Sequence, residues 1–306
     1  MHHYHSLEEV SLHNSWLTVG VFDGVHRGHQ EITKLLTTGA YASGVPAVVL
    51  TFDPHPANVL GRAEIGLLTL PDERAELLAS MNVDVVITER FTRELSAVTA
   101  FDFMSRLKRH LGLKHLLIGY DFALGKGREG NASRLTEIGR ELGYSVEVVP
   151  PLSNQSGVIS STEIRKLVSV GNVSEAAHLM GHPYSLRGTV IRGDGRGKKI
   201  GVPTANIDYP REKIVPTKSI YAGWAYVDDE KHMTAISIGV NPTFTPDKQI
   251  PSVEAYILDF DEDIYGKELK IEFVARLRDE LKFDSVDALV EQIWKDVEET
   301  RMILKS

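Results

Sequence analysis

The first half of the chain alternates short apolar runs with amphipathic segments. The apolar runs are rich in Val, Leu, Ile and Phe, which is typical of strands that are buried on both faces. They are WLTVGVF, PAVVLTF, VDVVIT, HLLIGYDF and SVEVVP. Between them, apolar residues recur every three to four positions, as in a helix, at 28–44, 71–81, 100–112 and 134–143. This alternation predicts a parallel sheet covered by helices, with ligands bound beyond the carboxyl ends of the strands.

The pattern changes at about Tyr184. Glycine, proline and aspartate turns now separate strand-like segments, and an amphipathic helix at 285–304 follows them. The strand-like segments are SLRGTVIRG, SIYAGWAYV, MTAISIGV, SVEAYILDF and KELKIEFVARL. Several short strands with a single helix predict a compact antiparallel barrel.

The length of 306 residues favours two domains, because one core rarely serves more than about 250–300 residues. The segment EAAHLMGHP has the pattern of a helix that ends at glycine and proline. It places the domain boundary near His182. We therefore expect one domain over 1–182 and a second over 183–306.

Composition narrows the class of protein. The net charge of −8 argues against nucleic-acid binding as the main activity, because phosphate backbones need clustered Lys and Arg. Cysteine is absent, so disulfides, thiolate metal sites and cysteine nucleophiles are excluded. The chain lacks the pattern of a signal peptide and any apolar run of about 18 residues. We expect a cytoplasmic enzyme that acts on small molecules, without membrane or nucleic-acid partners, and the sequence allows a homo-oligomer.

The first ten residues, MHHYHSLEEV, contain three histidines. His2, His3 and His5 could bind a metal ion. Terminal residues are usually solvated and poorly ordered. We favour a solvated, mobile N-terminus as their interpretation.

The motif GVFDGVHRGH joins a predicted strand to a predicted helix. Gly20 and Gly24 allow a sharp turn and a close approach to a ligand. His26 and His29 are three residues apart and share one face of the first helical turn, with Gly28 exposing the backbone between them. Such a helix start attracts anions, and imidazoles can donate to a phosphate as it gains charge. The motif predicts phosphate binding, whereas ordinary surface or core histidines are the alternative.

A second motif, ISSTEIR, opens a later helix. Ser160, Ser161 and Thr162 stand at its start, and Glu163 is placed as in a capping box. Capping alone would explain the serine and the glutamate. Arg165 adds a cation one turn into the helix, which suits a second phosphate clamp.

A loop with several glycines, IGYDFALGKGREGN, follows another strand. Its Asp121 has two interpretations, a contact to a nucleotide or ordinary turn chemistry. Together, GVFDGVHRGH, TFDPHP, IGYDFALGKGREGNAS and ISSTEIR resemble the adenylyltransferase half of the bacterial bifunctional riboflavin kinase/FAD synthetases, a Rossmann-like nucleotidyltransferase. Aminoacyl-tRNA synthetases carry a related histidine motif, but the acidic balance and the serines in place of lysines argue against them.

The resemblance implies that the FMN phosphate attacks the α-phosphorus of ATP and expels pyrophosphate. His26 and His29 would contact the ATP phosphates as catalytic residues. Ser161, Thr162 and a catalytic Arg165 would lie on the opposite side. The remaining positions that the resemblance implies for FMN or nucleotide binding are Gly20, Phe22, Asp23, Gly28, Phe52, His55 and Asp121. Positioning and charge neutralisation would suffice, without a covalent nucleophile.

The second half contains the glycine-rich stretch GTVIRGDGRGKKIGVPTANI. Glycines and basic residues in this pattern can surround phosphates with backbone N–H groups. Thr204 offers a hydroxyl and Asn206 an amide oxygen, and both are suitable ligands for Mg²⁺ on ATP. A flexible barrel hairpin is the alternative, which the start of a strand at PTAN makes less favourable.

Glu254 lies within an otherwise apolar strand. Such a residue faces either solvent or a site, because burial of an unpaired charge is costly. Held near a substrate hydroxyl, it could accept a proton as that hydroxyl attacks ATP. The wet face of an alternating strand is the alternative.

These stretches resemble the riboflavin kinase domain through RGDGRGKKIGVPTAN, IYAGWAYV, SIGVNPTF, VEAYILDFDEDIYG and LRDELKF. The resemblance implies a six-stranded antiparallel barrel with a terminal helix. It assigns Thr204 and Asn206 to Mg·ATP, Glu254 to the general base, and Arg278 to a place near the flavin. The ribityl 5′-hydroxyl of riboflavin would attack the γ-phosphorus of ATP. Further nucleotide-binding positions are implied at Gly188, Lys198 and Gly201.

Three positions depart from the usual kinase pattern. Lys198 stands where arginine is common, Ser219 where glycine is common, and Tyr256 where histidine is common. Lysine keeps the charge of arginine but loses its bidentate geometry.

We predict an α/β enzyme with a Rossmann-like first domain and a barrel as its second. It converts riboflavin to FMN and FMN to FAD, with Mg²⁺ and ATP in both steps. In a second hypothesis one activity is retained and the other domain only binds flavin. In a third, the protein is a non-catalytic flavin sensor or carrier.

Overall fold

The computed structural model describes residues 1–154, 157–193, 195, 197, 200–240 and 251–305. The chain divides into two compact units, residues 1–161 and 162–306. The two helices that follow residue 161 are therefore grouped with the second unit, whereas we expected them in the first domain. A domain boundary near His182 stays a prediction.

The first unit contains a six-stranded sheet, a short hairpin and six α-helices among its described residues. Its strands are β1 (His2–Tyr4), β2 (Ser15–Val19), β3 (Ala47–Asp53), β4 (Val85–Arg90), β5 (Leu113–Gly119), β6 (Ser145–Val149), β7 (Ser153–Asn154) and β8 (Gly157–Val158). Its helices are α1 (Arg27–Ala42), α2 (Pro56–Val59), α3 (Pro71–Ala79), α4 (Arg93–Ser96), α5 (Ala100–Leu111) and α6 (Ala132–Leu142).

The sheet is parallel throughout and has the order β1-β4-β3-β2-β5-β6. This confirms the predicted parallel sheet. The chain moves outward from β2 to β3 and β4 on one side, and from β5 to β6 on the other. The loops that follow β2 and β5 therefore diverge and leave a crevice at the carboxyl edge, where open α/β sheets bind ligands.

Apolar side chains cover both faces of this sheet. Leu17, Leu50 and Leu116 belong to the core on one face, and Val49 and Leu117 to the core on the other. Alternate residues of each strand point to opposite faces, so both faces need apolar cover. The near-continuous apolar runs of the sequence follow from this burial.

The first strand ends earlier than the sequence predicts. We expected the run WLTVGVF to stay extended to Phe22, but β2 ends at Val19. Phe22 and Val25 adopt positive φ angles of 52° and 35°. Residues other than glycine rarely adopt positive φ angles. This backbone conformation interrupts the extended strand and begins the loop.

The prediction of a mobile N-terminus is wrong. His2, His3 and Tyr4 form β1, which pairs in parallel with β4 in the register His2 with Val85. The backbone hydrogen bonds of an open sheet edge hold these residues in place. A three-residue strand without an apolar alternation leaves no signal that sequence patterns can detect.

The second unit contains three helices and six barrel strands among its described residues. Its helices are α7 (Ser161–Ser169), which begins at the junction, α8 (Val173–Met180) and α9 (Val286–Lys305). Its strands are β9 (Tyr184–Ile191), β10 (Ala205–Asp208), β11 (Ser219–Val227), β12 (Glu230–Val240), β13 (Pro251–Ile257) and β14 (Glu268–Arg278).

The six strands close into a barrel in the order β10-β13-β12-β11-β14-β9, and every pair is antiparallel. The predicted six-stranded barrel with a terminal helix is thus confirmed. Side chains of alternate residues, such as Val253 and Ala255 in β13, are buried, while Glu254 between them is only partly buried. Along the described part of the chain, no helix is long and apolar enough to cross a membrane.

Two candidate active sites

The two histidines of GVFDGVHRGH lie together at the start of α1. His26 caps this helix, and its Nδ1 accepts the backbone N–H of His29 at 3.4 Å. The two rings stack with centroids 3.7 Å apart, and the Phe22 ring lies 4.9 Å from the His29 ring. Because Nδ1 of His26 is the acceptor, the proton of the neutral ring lies on Nε2, which is then a donor. The loop thus places imidazoles and backbone N–H groups at one helix start.

Two glycines make this loop possible. Gly24 has a φ of +80°, and a Cβ there would lie 2.8 Å from Cδ1 of Leu68. A Cβ at Gly28 would lie 3.2 Å from Cε1 of His26. Gly24 needs glycine because of its positive φ and this close contact, whereas a side chain at Gly28 would require a small shift of the His26 ring.

Asp23 holds the histidine loop through hydrogen bonds to the segment at Leu68 and Thr69. Its buried carboxylate accepts the backbone N–H groups of Leu68 and Thr69, the latter at 2.8 Å, and the Thr69 hydroxyl at 3.1 Å. The backbone carbonyl of Asp23 accepts the Ser161 hydroxyl at 2.8 Å. Asp23 therefore positions the loop through its carboxylate. Its implied contact to a ligand stays a prediction.

Arg74 is a site-supporting residue that sequence reasoning missed. It is 1% exposed, and its Nη1 donates to the Thr51 hydroxyl at 2.8 Å and to the Phe52 carbonyl at 3.2 Å. Its Nη2 donates to the Thr69 carbonyl at 3.3 Å. It thus connects the end of β3 to the segment that Asp23 holds. The available signal was a charge beside Ala75 and Leu78, which are the buried apolar positions of α3.

The other predicted residues of this site lie on segments that leave the same sheet edge. His55 follows β3 and caps α2, where its Nδ1 accepts the Ala57 N–H at 3.1 Å. The Phe52 ring packs edge-to-face on Phe91 at 5.5 Å. Asp121 follows β5, is exposed, and its backbone carbonyl accepts a hydrogen bond from a loop arginine.

Ser161 opens α7, and Thr162 and Arg165 follow on that helix. The helix that ISSTEIR predicts is confirmed. The clamp that these residues would form opposite the histidines stays a prediction.

The candidate kinase residues converge on the barrel surface. The Thr204 hydroxyl donates to Oε2 of Glu254 at 2.9 Å. Asn206 and Glu254 are directly opposed in the pairing of β10 with β13, and Ser237 opposes Glu254 on the other side. Directly opposed residues present their side chains on the same face of a sheet. The fold therefore gathers a hydroxyl, an amide and a carboxylate, and their assigned roles stay predictions.

This polar group borders a cavity of about 650 Å³. Its polar lining includes Thr204, Ser237, Glu254, Arg278 and Asp296. Apolar residues supply most of the remaining wall: Ile220, Ile236, Leu281, Phe283, Leu289 and Ile293. A largely apolar cavity with a few convergent polar groups is typical of a site for a small organic ligand.

Arg278 lies in this wall and is held by an aspartate that the sequence did not indicate. Its Nε and Nη2 donate to the two carboxylate oxygens of Asp296 at 2.8 and 2.6 Å. Gln292, one turn earlier on α9, donates to the same carboxylate at 2.9 Å. Asp296 is 4% exposed, so the bidentate pair orients the guanidinium rigidly.

A second cavity of about 410 Å³ lies against Thr204 as well. Its wall includes Pro203, Ala205, Ile257, Phe260, Ile264 and Tyr265. Thr204 borders both cavities. Ligands bound in the two cavities would therefore meet near Thr204.

The glycine-rich stretch contacts this site at Gly193, where a Cβ would lie 2.4 Å from Nδ2 of Asn206. Gly188 lies in β9, and a Cβ there would lie 2.2 Å from the Asp208 carbonyl of β10. The close approach of two strands therefore explains the glycine at that position. Gly201 is exposed with a φ of +78°. Lys198 lies outside the described residues.

The two other departures from the kinase pattern have local partners. Ser219 is buried, and its hydroxyl accepts Nε of Arg276 at 2.7 Å. Tyr256 lies in the wall of the larger cavity, and its ring packs edge-to-face on Trp294 at 6.5 Å. Both residues are accommodated without disturbing the register that brings Glu254 beside Asn206.

Comparison with known proteins covers both units. Residues 8–163 match the family model of FAD synthetase, and residues 180–304 match that of riboflavin kinase. The chain is 39% identical over 305 residues to the bifunctional riboflavin kinase/FMN adenylyltransferase of Listeria monocytogenes, covering 98% of this chain and 96% of that protein. It is 34% identical over 301 residues to the protein of the same name from Bacillus subtilis, covering 97% and 95% of the two chains.

Among solved structures, the crystal structure of a macrolide-efflux protein from Streptococcus pneumoniae is similar with a TM-score of 0.89. It is 32% identical in sequence, and the match covers 98% of both chains. The resemblance noted in the sequence motifs is thus confirmed along nearly the whole length. The chain belongs to the bifunctional riboflavin kinase/FMN adenylyltransferase family.

Proposed function

We propose that the second unit phosphorylates riboflavin to FMN and that the first unit adenylylates FMN to FAD, with ATP as the donor in both steps. The observation that carries this proposal is the presence of both sets of polar groups in one chain. One set is built around His26 and His29, and the other around Thr204 and Glu254. Mg²⁺ as the metal, a cytoplasmic location and a homo-oligomer are further predictions from the sequence.

In the kinase step, the apolar cavity would hold the flavin ring and the second cavity the nucleotide. Glu254 is placed to accept the proton of the ribityl 5′-hydroxyl as its oxygen attacks the γ-phosphorus of ATP. The bond to the β-phosphate oxygen breaks, and ADP leaves. The Thr204 hydroxyl, 2.9 Å from this carboxylate, holds Glu254 in the wall of the larger cavity beside Thr204, which borders both cavities.

The donor set beside Glu254 fits Mg²⁺. Thr204 and Asn206 offer neutral oxygen ligands, and hard cations prefer oxygen. Mg²⁺, when bound with ATP, would neutralise phosphate charge as the γ-phosphoryl group is transferred. Gly193 leaves room for the side-chain amide of Asn206, because a side chain at position 193 would displace that amide.

In the adenylylation step, a phosphate oxygen of FMN attacks the α-phosphorus of ATP, and pyrophosphate leaves. The attacking phosphate is already anionic, so no general base is needed. His26, His29 and the first N–H groups of α1 would donate hydrogen bonds to the phosphates as charge develops. Arg165, Ser161 and Thr162 are the further phosphate-binding residues that the family resemblance implies.

The pair Arg278–Asp296 provides a test of flavin binding in the larger cavity. In Asp296→Asn the guanidinium loses its bidentate counter-charge and its fixed orientation. We expect the Kd for riboflavin to rise about tenfold or more, the cost of one charge-assisted hydrogen bond. Quenching of flavin fluorescence on titration with protein measures this Kd.

Asp259→Asn is the matched control for this variant. Asp259 forms the same bidentate pair with Arg301 of α9, at 2.8 and 2.7 Å, and neither residue lines the cavity. We expect its riboflavin Kd to equal that of the unaltered protein. An equal loss in both variants would contradict the assignment of the flavin to this cavity.

Chromatography of flavins tests the proposed function as a whole. On incubation of riboflavin with ATP and Mg²⁺, we expect FMN to form first and FAD to accumulate afterwards. Accumulation of FMN without FAD would support the hypothesis of a single retained activity. Riboflavin binding without any product would support the carrier hypothesis and contradict the proposal.

A further inference from the structure

Three potential metal ligands meet at the edge of the first unit, outside both candidate active sites. They are His3 and His5 at the N-terminus and Asp72 at the start of α3. One ligand atom of each residue lies within 4.8 Å of the other two. His3 lies in β1, and His5 lies at a bend directly after this strand, where its ring comes close to that of His3.

The distances suit a small cation. Nδ1 of His3 is 3.6 Å from Oδ1 of Asp72, and the rings of His3 and His5 have centroids 4.6 Å apart. Two ligands at about 2.1 Å from a tetrahedral ion are about 3.4 Å from each other. His3 and Asp72 are therefore close to coordinating distance already. Binding of an ion would then require a rotation of the His5 side chain, which is exposed.

Thr88 of β4 orients the His3 ring. Nε2 of His3 is 2.9 Å from the hydroxyl of Thr88, which is 5% exposed. When Nε2–H donates to this hydroxyl, the lone pair of Nδ1 points toward the side of Asp72. Metal-binding histidines usually have such a second partner, which fixes the ring and the tautomer.

We propose that His3, His5 and Asp72 bind one divalent transition-metal ion of the Zn²⁺ or Co²⁺ type. Two imidazoles and one carboxylate are ligands that these ions prefer, whereas Mg²⁺ prefers oxygen ligands alone. The bound ion would link β1 to α3. Since α3 also carries Arg74, which holds the segment next to the histidine loop, the ion would stabilise the first unit from its edge.

Titration of the full chain with Co²⁺, without a polyhistidine tag, tests this proposal through the visible absorption of the bound ion. We expect one Co²⁺ per chain, displaced by Zn²⁺ and retained in excess Mg²⁺. Asp72→Asn and Thr88→Val should each weaken binding at least about tenfold, by loss of the negative charge of one ligand and of the ring-orienting bond, respectively. Asp72 is 79% exposed at its side chain, so its replacement leaves the fold intact.

His2→Gln is the matched control. His2 is also an exposed N-terminal histidine, but it points away from His3 and His5 on the other face of β1. We expect its Co²⁺ affinity to stay within about twofold of the unaltered chain. Equal loss in His2→Gln and His5→Gln, unchanged affinity in Asp72→Asn, or no binding of Co²⁺ would each overturn the proposal.

Discussion

Replacing Glu254 by glutamine is expected to lower kcat for FMN formation by about 10²–10⁴-fold, the usual contribution of a general base. FAD formation from supplied FMN should be unchanged. The amide oxygen of glutamine can still accept the Thr204 hydroxyl, which Glu254 accepts at 2.9 Å, so the site keeps its shape. What is lost is the group that takes the proton of the ribityl hydroxyl. Initial rates of both reactions, measured by flavin chromatography at saturating ATP and Mg²⁺, compare the two activities.

Glu272→Gln is the control for this variant. Glu272 is also partly buried in a barrel strand, β14, and it accepts the Tyr226 hydroxyl at 2.8 Å. It lines neither of the two cavities that border Thr204. We expect both activities of the control to match the unaltered enzyme. If folded Glu254→Gln kept its FMN formation or lost both reactions, the assigned role of Glu254 would be wrong.

Replacing His29 by alanine is expected to have the opposite effect. FAD formation should fall by about 10²–10³-fold, the cost of one donor to developing charge, while FMN formation stays unchanged. The cap of α1 uses the backbone N–H of His29 and Nδ1 of His26, so it survives the substitution. Alanine is also the best helix former. The loss would therefore report on the imidazole and not on the helix.

His115→Ala serves as the control for His29→Ala. His115 is another partly buried histidine of the same unit, in β5, with its ring held by Ser145 at 2.6 Å and Glu147 at 3.0 Å. It lies near the amino end of its strand, away from the carboxyl edge of the sheet. We expect normal FAD formation in this control. Equal loss in both variants would indicate a general effect on folding, and full activity of His29→Ala would remove the histidine from the mechanism.

Local patterns of apolar and turn residues predicted much of the fold. The apolar runs of the first half became the central parallel strands because burial on both faces demands such runs. The turn residues of the second half marked the barrel strands. The ends of the strands were predicted less accurately. Phe22 shows why, because its positive φ comes from the loop that it enters and not from its apolar side chain. The three-residue β1 left no pattern at all.

The candidate sites were predictable where residues close together in the sequence lie on one helical turn or at the start of one strand. His26 and His29 share one helical turn, and Thr204 directly precedes the strand that carries Asn206. Their chemistry follows from short-range spacing. Glu254 is 50 residues from Thr204 along the chain, and its role came from the family resemblance.

The sequence by itself determined the order of the central strands and longer helices, the positions of many turns, and the two motifs with their donors. Only the tertiary structure decided which residues support those motifs. Asp23 meets Thr69 across 46 residues, and Arg74, Asp296 and Thr88 find their partners across packed elements. The physical reason is that spacing along a chain encodes which side chains share a face. The register and packing of distant elements select the partner on the opposing surface.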